Sequence, residues 1–121
     1  MVTWFEIPVI NMDRAKAFYE KVFDIEIDIH KMDGLQMGWF PNKNQSGIAT
    51  GSLIHAGEHY KPSENGVLIY FSCENLANEI GRVEAAGGKV VSNKKQISPE
   101  NGYMGYFIDS EGNRIALHSQ K

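Results

Sequence analysis

The sequence predicts an α+β fold made of two copies of a βαβββ unit. Three observations carry that reading. A strand-helix-strand pattern runs through residues 2–56 and starts again at residue 67, after a polar loop. The two halves keep one register at an offset of 64 residues, which carries Asn11 onto Asn75 and Glu20 onto Glu84. Neither half has a glycine-rich phosphate loop between its first strand and its helix. The expected organisation is one domain over residues 1–121: repeat one about 1–56, a loop at 57–66, and repeat two about 67–121.

The first strand is read over residues 2–9. Phe5, Ile7 and Val9 are uniformly apolar and alternate with Trp4, Glu6 and Pro8, so the first set is expected to face the core. Asn11 is placed to cap a helix, with Asp13 in the first turn. Ala15, Phe18, Tyr19 and Val22 recur at helical spacing, which predicts an amphipathic helix over about 12–23. Ile25, Ile27 and Ile29 alternate with polar residues as in a half-buried strand. Asp33-Gly34 then signals a hairpin into a strand over Leu35 to Phe40. Gly47 to His55 reads as the last strand of the repeat, and 57–66, with Pro62 and two glycines, as a loop.

In the second repeat a strand is expected over Val67 to Cys73, with Val67, Ile69, Phe71 and Cys73 on one parity. Asn75 caps a helix that carries Leu76, Ile80, Val83 and Ala86, and Gly87-Gly88 ends it, since the left-handed C-cap position favours glycine. Strands follow at Lys89 to Ser92, Tyr103 to Asp109 and Arg114 to Ser119. The last two are joined by the turn Ser110-Glu111-Gly112-Asn113.

Composition excludes several classes of function. With 121 residues, of which 42% are hydrophobic, the chain can bury a core without metal or disulfide staples. The net charge of -3, with basic residues scattered among acids, argues against nucleic acid as a partner. The single cysteine, Cys73, rules out an intrachain disulfide and a cysteine-rich zinc site. Cys73 has core parity and reads as a small buried hydrophobe. No stretch approaches the ~20 apolar residues that span a bilayer. The chain opens on a strand-like run rather than a leader, so a cytoplasmic protein without a membrane partner is expected.

Three stretches carry a family resemblance: Trp4-Phe5-Glu6-Ile7-Pro8-Val9; Asn11 to Phe23 with Ala17-Phe18-Tyr19-Glu20; and Phe107 through Leu117 with its acidic turn. The segment Ala85-Ala86-Gly87-Gly88-Lys89-Val90-Val91 adds to them. Together they resemble the vicinal-oxygen-chelate superfamily of glyoxalase I, extradiol dioxygenases, and bleomycin-resistance and other antibiotic-sequestering proteins. The resemblance covers nearly the whole chain. It implies a curved mixed-sheet cup with helices on the outer face, and by default a homodimer. Many members hold a divalent metal in the cup with His and Glu ligands. Those ligand positions align here with Trp4, about Ser52, Leu68 and Ala116, and three of the four have no coordinating atom. No cofactor is therefore expected at the family position.

Two residues further along each strand the side chains return to the same face. From Trp4, Leu68 and Ala116 this reaches Glu6, Tyr70 and His118. A carboxylate and an imidazole there offer a displaced divalent-metal or acid/base site, with Glu6 and His118 as the catalytic candidates. The plainer reading is that they pair with each other or with water at the rim. Trp4, Leu68, Tyr70, Phe107 and Ala116, with Trp39 or Phe40, are read as lining an aromatic cup that binds a small molecule. The same rings fit a plain core or a dimer contact. His30, His55 and His59 read as solvated groups.

Three functions follow from these readings. The first is metal-free binding of a small, partly planar organic molecule. The second is a metal-dependent lyase, isomerase or dioxygenase with its centre moved to Glu6 and His118. The third is a non-catalytic dimeric interaction module. The segment from Glu58 to Asn65 is long for a connection and is expected to lie over the cup as a lid.

Overall fold

The computed structural model describes residues 1–42 and 50–121. The first part of the strand expected over Gly47 to His55 lies outside the described residues. The chain order is β1 (Phe5–Pro8), α1 (Met12–Phe23), β2 (Asp28–Met32), β3 (Leu35–Trp39) and β4 (Gly51–His55), then a short 3-10 turn at Gly57–His59. It continues with β5 (Ile69–Ser72), α2 (Leu76–Ile80), α3 (Val83–Ala86), β6 (Lys89–Ser98), β7 (Gly102–Ile108) and β8 (Arg114–Ser119). Two four-stranded mixed sheets result, ordered β1-β4-β3-β2 and β5-β8-β7-β6. Both βαβββ repeats are present, and each sheet has one parallel pair, β1 with β4 and β5 with β8.

The repeat is kept at the level of single backbone bonds. Phe5 lies opposite Gly51 and Ile69 opposite Ile115, and every later pair of these ladders keeps the same offset of 64. The bond from Val9 N to the Ile54 carbonyl recurs as Cys73 N to the His118 carbonyl, both 2.8 Å. The third strands are displaced differently, because Gly38 faces Leu53 while Gly105 faces Leu117. The β3–β4 connection is thus three residues longer than its counterpart in repeat two.

Helix α1 forms where Asn11 accepts from Arg14 N at 3.0 Å, and it ends where Asp24 turns into the left-handed region at φ 55°. It buries Ala15, Phe18, Tyr19 and Val22, as its spacing predicts. Each large apolar side chain buried this way contributes about 1.5–3 kcal/mol. The helix predicted after Asn75 is broken in two at Gly81, whose own N–H bonds back to the Ala77 carbonyl. Leu76, Ile80 and Val83 still reach the core.

One core serves both repeats. It joins Ile7, Val9 and Leu53 of the first sheet, the helices, and Phe107, Ile115 and Leu117 of the second. Phe18 of α1 packs on Phe107 of β7 at 5.8 Å between ring centroids. The helices therefore lie between the two sheets, which share no backbone ladder. Each sheet turns its other face away from this core. Val67, expected on the core parity, is 93% exposed because β5 begins only at Ile69. Strand β6 runs to Ser98, longer than expected, with irregular pairing to β7.

Candidate functional site

The register fixes which residues share the outward faces. On the first sheet one row runs Glu6, Ser52, Trp39, Asp28, and the next runs Pro8, Ile54, Met37, His30. On the second sheet the equivalent rows run Tyr70, Ala116, Tyr106, Ser92 and Ser72, His118, Met104, Lys95. Ser52 and Ala116 hold equivalent places, and both are fully buried.

An aromatic layer covers the first face. The Trp4 ring meets Trp39 edge-on at 5.7 Å, and His30 stacks on Trp39 at 3.9 Å. Asp28 holds the His30 ring through a 3.1 Å contact from Oδ2 to Nε2. Beneath these rings Trp39 Nε1 and Ser52 Oγ are buried and have no hydrogen-bond partner among the described residues. They belong to cross-strand neighbours on one face. Orphaned polar atoms of this kind are few in folded proteins and call for a reason.

Glu6 and His118 do not come together within one chain. Glu6 accepts from the Tyr60 hydroxyl at 3.0 Å, which holds the Tyr60 phenol above its ordinary range. His118 Nε2 lies 2.7 Å from the Asn101 carbonyl. The two residues stand on different sheets, with the shared core between them. Among the described residues no three His, Cys, Asp or Glu side chains are grouped to hold a metal. The family metal positions do not fit one either: Trp4, Leu68 and Ala116 supply no donor atom, and Ser52 supplies one buried hydroxyl.

Phe107 is a correction. It sits in the core at 0% exposure, on the opposite face from Ala116, and Tyr106 takes the outward place instead. The register between β7 and β8 decides this, since Phe107 pairs with Ile115 and Tyr106 with Ala116. Of the two hairpin rings, Trp39 is on the outward face and Phe40 is buried in the core. Leu68 is half-buried just before β5, and Tyr70 is half exposed. His55 has the opposite parity and meets the Val9 carbonyl through Nδ1 at 3.1 Å. His59 is exposed in the 3-10 turn. Sequence reasoning missed Tyr106 and the role of His30. Extending the register to Trp39 with the three-residue correction finds Tyr106, because Trp39 faces Ser52 as Tyr106 faces Ala116.

The turn after β7 ties the repeats together. Glu111 accepts from Ile10 N, Asn11 N and Arg14, at 2.7–3.0 Å, at the entrance to α1. Asp109 accepts from Tyr19, Asn113 and the Glu111 backbone. These bonds position the two sheets and leave the outward faces free of the carboxylates.

Residues 2–117 match the model of the Glyoxalase/Bleomycin resistance protein/Dioxygenase superfamily, and the chain belongs to that family. Glyoxalase I from Zea mays is similar over 98% of this chain at 10% identity and a TM-score of 0.77, but over only 44% of its own chain. This chain thus spans less than half of the maize protein. TnmS3, an antibiotic binding protein from Streptomyces sp. CB03234, is similar over 100% of this chain and 96% of its own, at 20% identity and a TM-score of 0.69. A glyoxalase-related enzyme from Fulvimarina pelagi is similar over 98% and 87%, at 14% identity and a TM-score of 0.70. At these identities the structural likeness establishes the fold. A comparison with curated protein sequences finds no match.

Proposed function

We propose that the protein binds a small, partly planar organic molecule without a metal, in a cup made when two copies bring their outward faces together. The observation that carries this reading is the first outward face. Trp4, Trp39 and His30 form a ring cluster on the face that carries Ser52, where a metal-binding relative would need a ligand. An aromatic surface with a few convergent polar atoms is the usual composition of a small-molecule site. Tyr70 and Tyr106 on the second sheet supply a matching face. Pairing of two copies is supported by the edge strands β1 and β5, each bonded on one side only. The antibiotic binding described for TnmS3 is in keeping with such a cup.

The test is quenching of tryptophan fluorescence by anthraquinone-2-carboxylate, a planar probe with carbonyl acceptors, with and without a chelator. Saturable binding that the chelator leaves unchanged and Trp39→Ala abolishes is the expected result. Failure of a broad panel of planar aromatics to bind would overturn the reading. The alternative, a metal-dependent lyase, isomerase or dioxygenase, would need Glu6 of one copy and His118 of a second to meet in the cup. Stoichiometric metal that disappears in both Glu6→Ala and His118→Ala would establish that alternative.

A further inference from the structure

Arg114 of β8 lies on the second outward face. It pairs with Ile108 of β7, two residues before Ala116, so alternation puts it on the side of Ala116 and Tyr106. Two contacts hold its guanidinium. The central carbon lies 5.5 Å from the centroid of the Tyr106 ring, and Nε donates to the Glu64 carbonyl at 3.2 Å. Among the described residues Arg114 forms no ion pair, and its two terminal nitrogens have no hydrogen-bond partner. The outward strand positions of this sheet carry His118 and Lys95 besides Arg114, and no carboxylate. On the first outward face the strand carboxylates already have partners, Glu6 in the Tyr60 hydroxyl and Asp28 in the His30 ring. A half-buried guanidinium is thus held on an aromatic ring with its fork unused.

We infer that the ligand of the outward cup is a planar aromatic carboxylate, and that Arg114 selects it by pairing with the carboxylate while the rings take the aromatic body. The inference rests on the binding function proposed above. Three features select this class. The planar fork of a guanidinium matches the two oxygens of a carboxylate, giving two parallel charge-assisted bonds. The Tyr106 ring and the Glu64 carbonyl restrict the side chain before the ligand arrives, so less freedom is lost on binding. The surplus of basic over acidic groups on this face attracts anions and repels cations.

The experiment compares anthraquinone-2-carboxylate with anthraquinone-2-carboxamide, the same ring system without the charge, by quenching of tryptophan fluorescence at fixed ionic strength. The carboxylate should bind about tenfold more tightly, as a charged acceptor exceeds a neutral one. Arg114→Gln should bring the two probes to within about twofold of each other. Arg114→Lys keeps the charge and loses the fork, so it should keep part of the preference. Lys95→Gln, on the same face, should keep all of it. If Arg114→Gln does not fold, Arg114→Lys decides: a reduced preference supports the inference and an intact one overturns it. Equal affinity of the unaltered protein for the two probes would overturn this inference and leave the proposed binding function standing. Binding of neither would overturn both. A preference that survives Arg114→Gln, or that is lost only in Lys95→Gln, would overturn the assignment to Arg114.

Discussion

The phenol of Tyr19 on α1 donates to the Asp109 carboxylate at the end of β7, 2.5 Å away and 90 residues along the chain. Both groups are buried, and the bond crosses from one repeat to the other. Burial, then the neighbouring Asp109, hold the Tyr19 phenol well above its ordinary range, so it stays a donor throughout the neutral range. Tyr19→Phe keeps the ring contacts and removes the donor, leaving Asp109 Oδ2 with Asn113 Nδ2 alone. The expected cost is about 1.5–3 kcal/mol in urea unfolding, the range for a hydrogen bond to a charged group. A loss below about 0.5 kcal/mol would show that the bond does not hold the repeats together.

Glu111 sets an acid limit on stability. Burial alone would raise its carboxyl. The bonds from Arg14, Asn11 N, Ser110 and Ile10 N outweigh that and bring it down to about 2 from 4.5. A carboxylate depressed in the folded state stabilises above its unfolded value, and that stability is lost as pH falls through the folded one. The protein should therefore lose stability progressively between about pH 4.5 and pH 2. Glu111→Gln should be less stable at pH 7 by about 2 kcal/mol and show a flatter acid limb. Parallel acid limbs for the two proteins would assign the acid sensitivity elsewhere.

Gly51 is expected to tolerate no side chain. A Cβ there would collide with the Phe5 ring, which lies across the glycine from the neighbouring strand. Gly51→Ala should push that ring out of its contacts with Phe40 and Phe71. The expected loss is about 1–3 kcal/mol of thermal or urea stability, as for other overpacked cores. Gly34 is the control for packing, because a Cβ there meets nothing within 4 Å. Its φ of 80° makes Gly34→Ala a purely conformational cost.

Cys73 should be slow toward thiol reagents. Burial, then the neighbouring Glu79, push its thiol up to about 12, so little thiolate exists at pH 8. Its reaction with a disulfide reagent at that pH should be slower than that of free cysteine by two orders of magnitude or more, about as the thiolate fraction falls. Unfolding in guanidinium should restore the ordinary rate. Rapid labelling of the folded protein would mean that the surroundings of Cys73 admit the reagent and stabilise the thiolate.

The sequence alone determined most of the elements and their repetition, though not the break at Gly81 or the full length of β6. Alternation in Phe5, Ile7 and Val9, helical spacing in Ala15, Phe18, Tyr19 and Val22, and the paired caps Asn11 and Asn75 are local signals, because side-chain period follows backbone geometry. The same parity placed Glu6, Tyr70 and His118 on outward faces and marked Trp4, Leu68 and Ala116 as positions without metal ligands. Only the tertiary structure decided which faces meet. Glu6 and His118 part because the helices of both repeats pack into one core and turn the sheets away from each other, a choice made by contacts such as Phe18 on Phe107. Phe107 turned inward and Tyr106 outward because β7 pairs with β8 in a register set by turn length, which no local pattern announces. The orphaned atoms Trp39 Nε1, Ser52 Oγ and Glu79 Oε1 are likewise invisible in sequence, since burial without a partner is a property of the assembled neighbourhood and not of the residue.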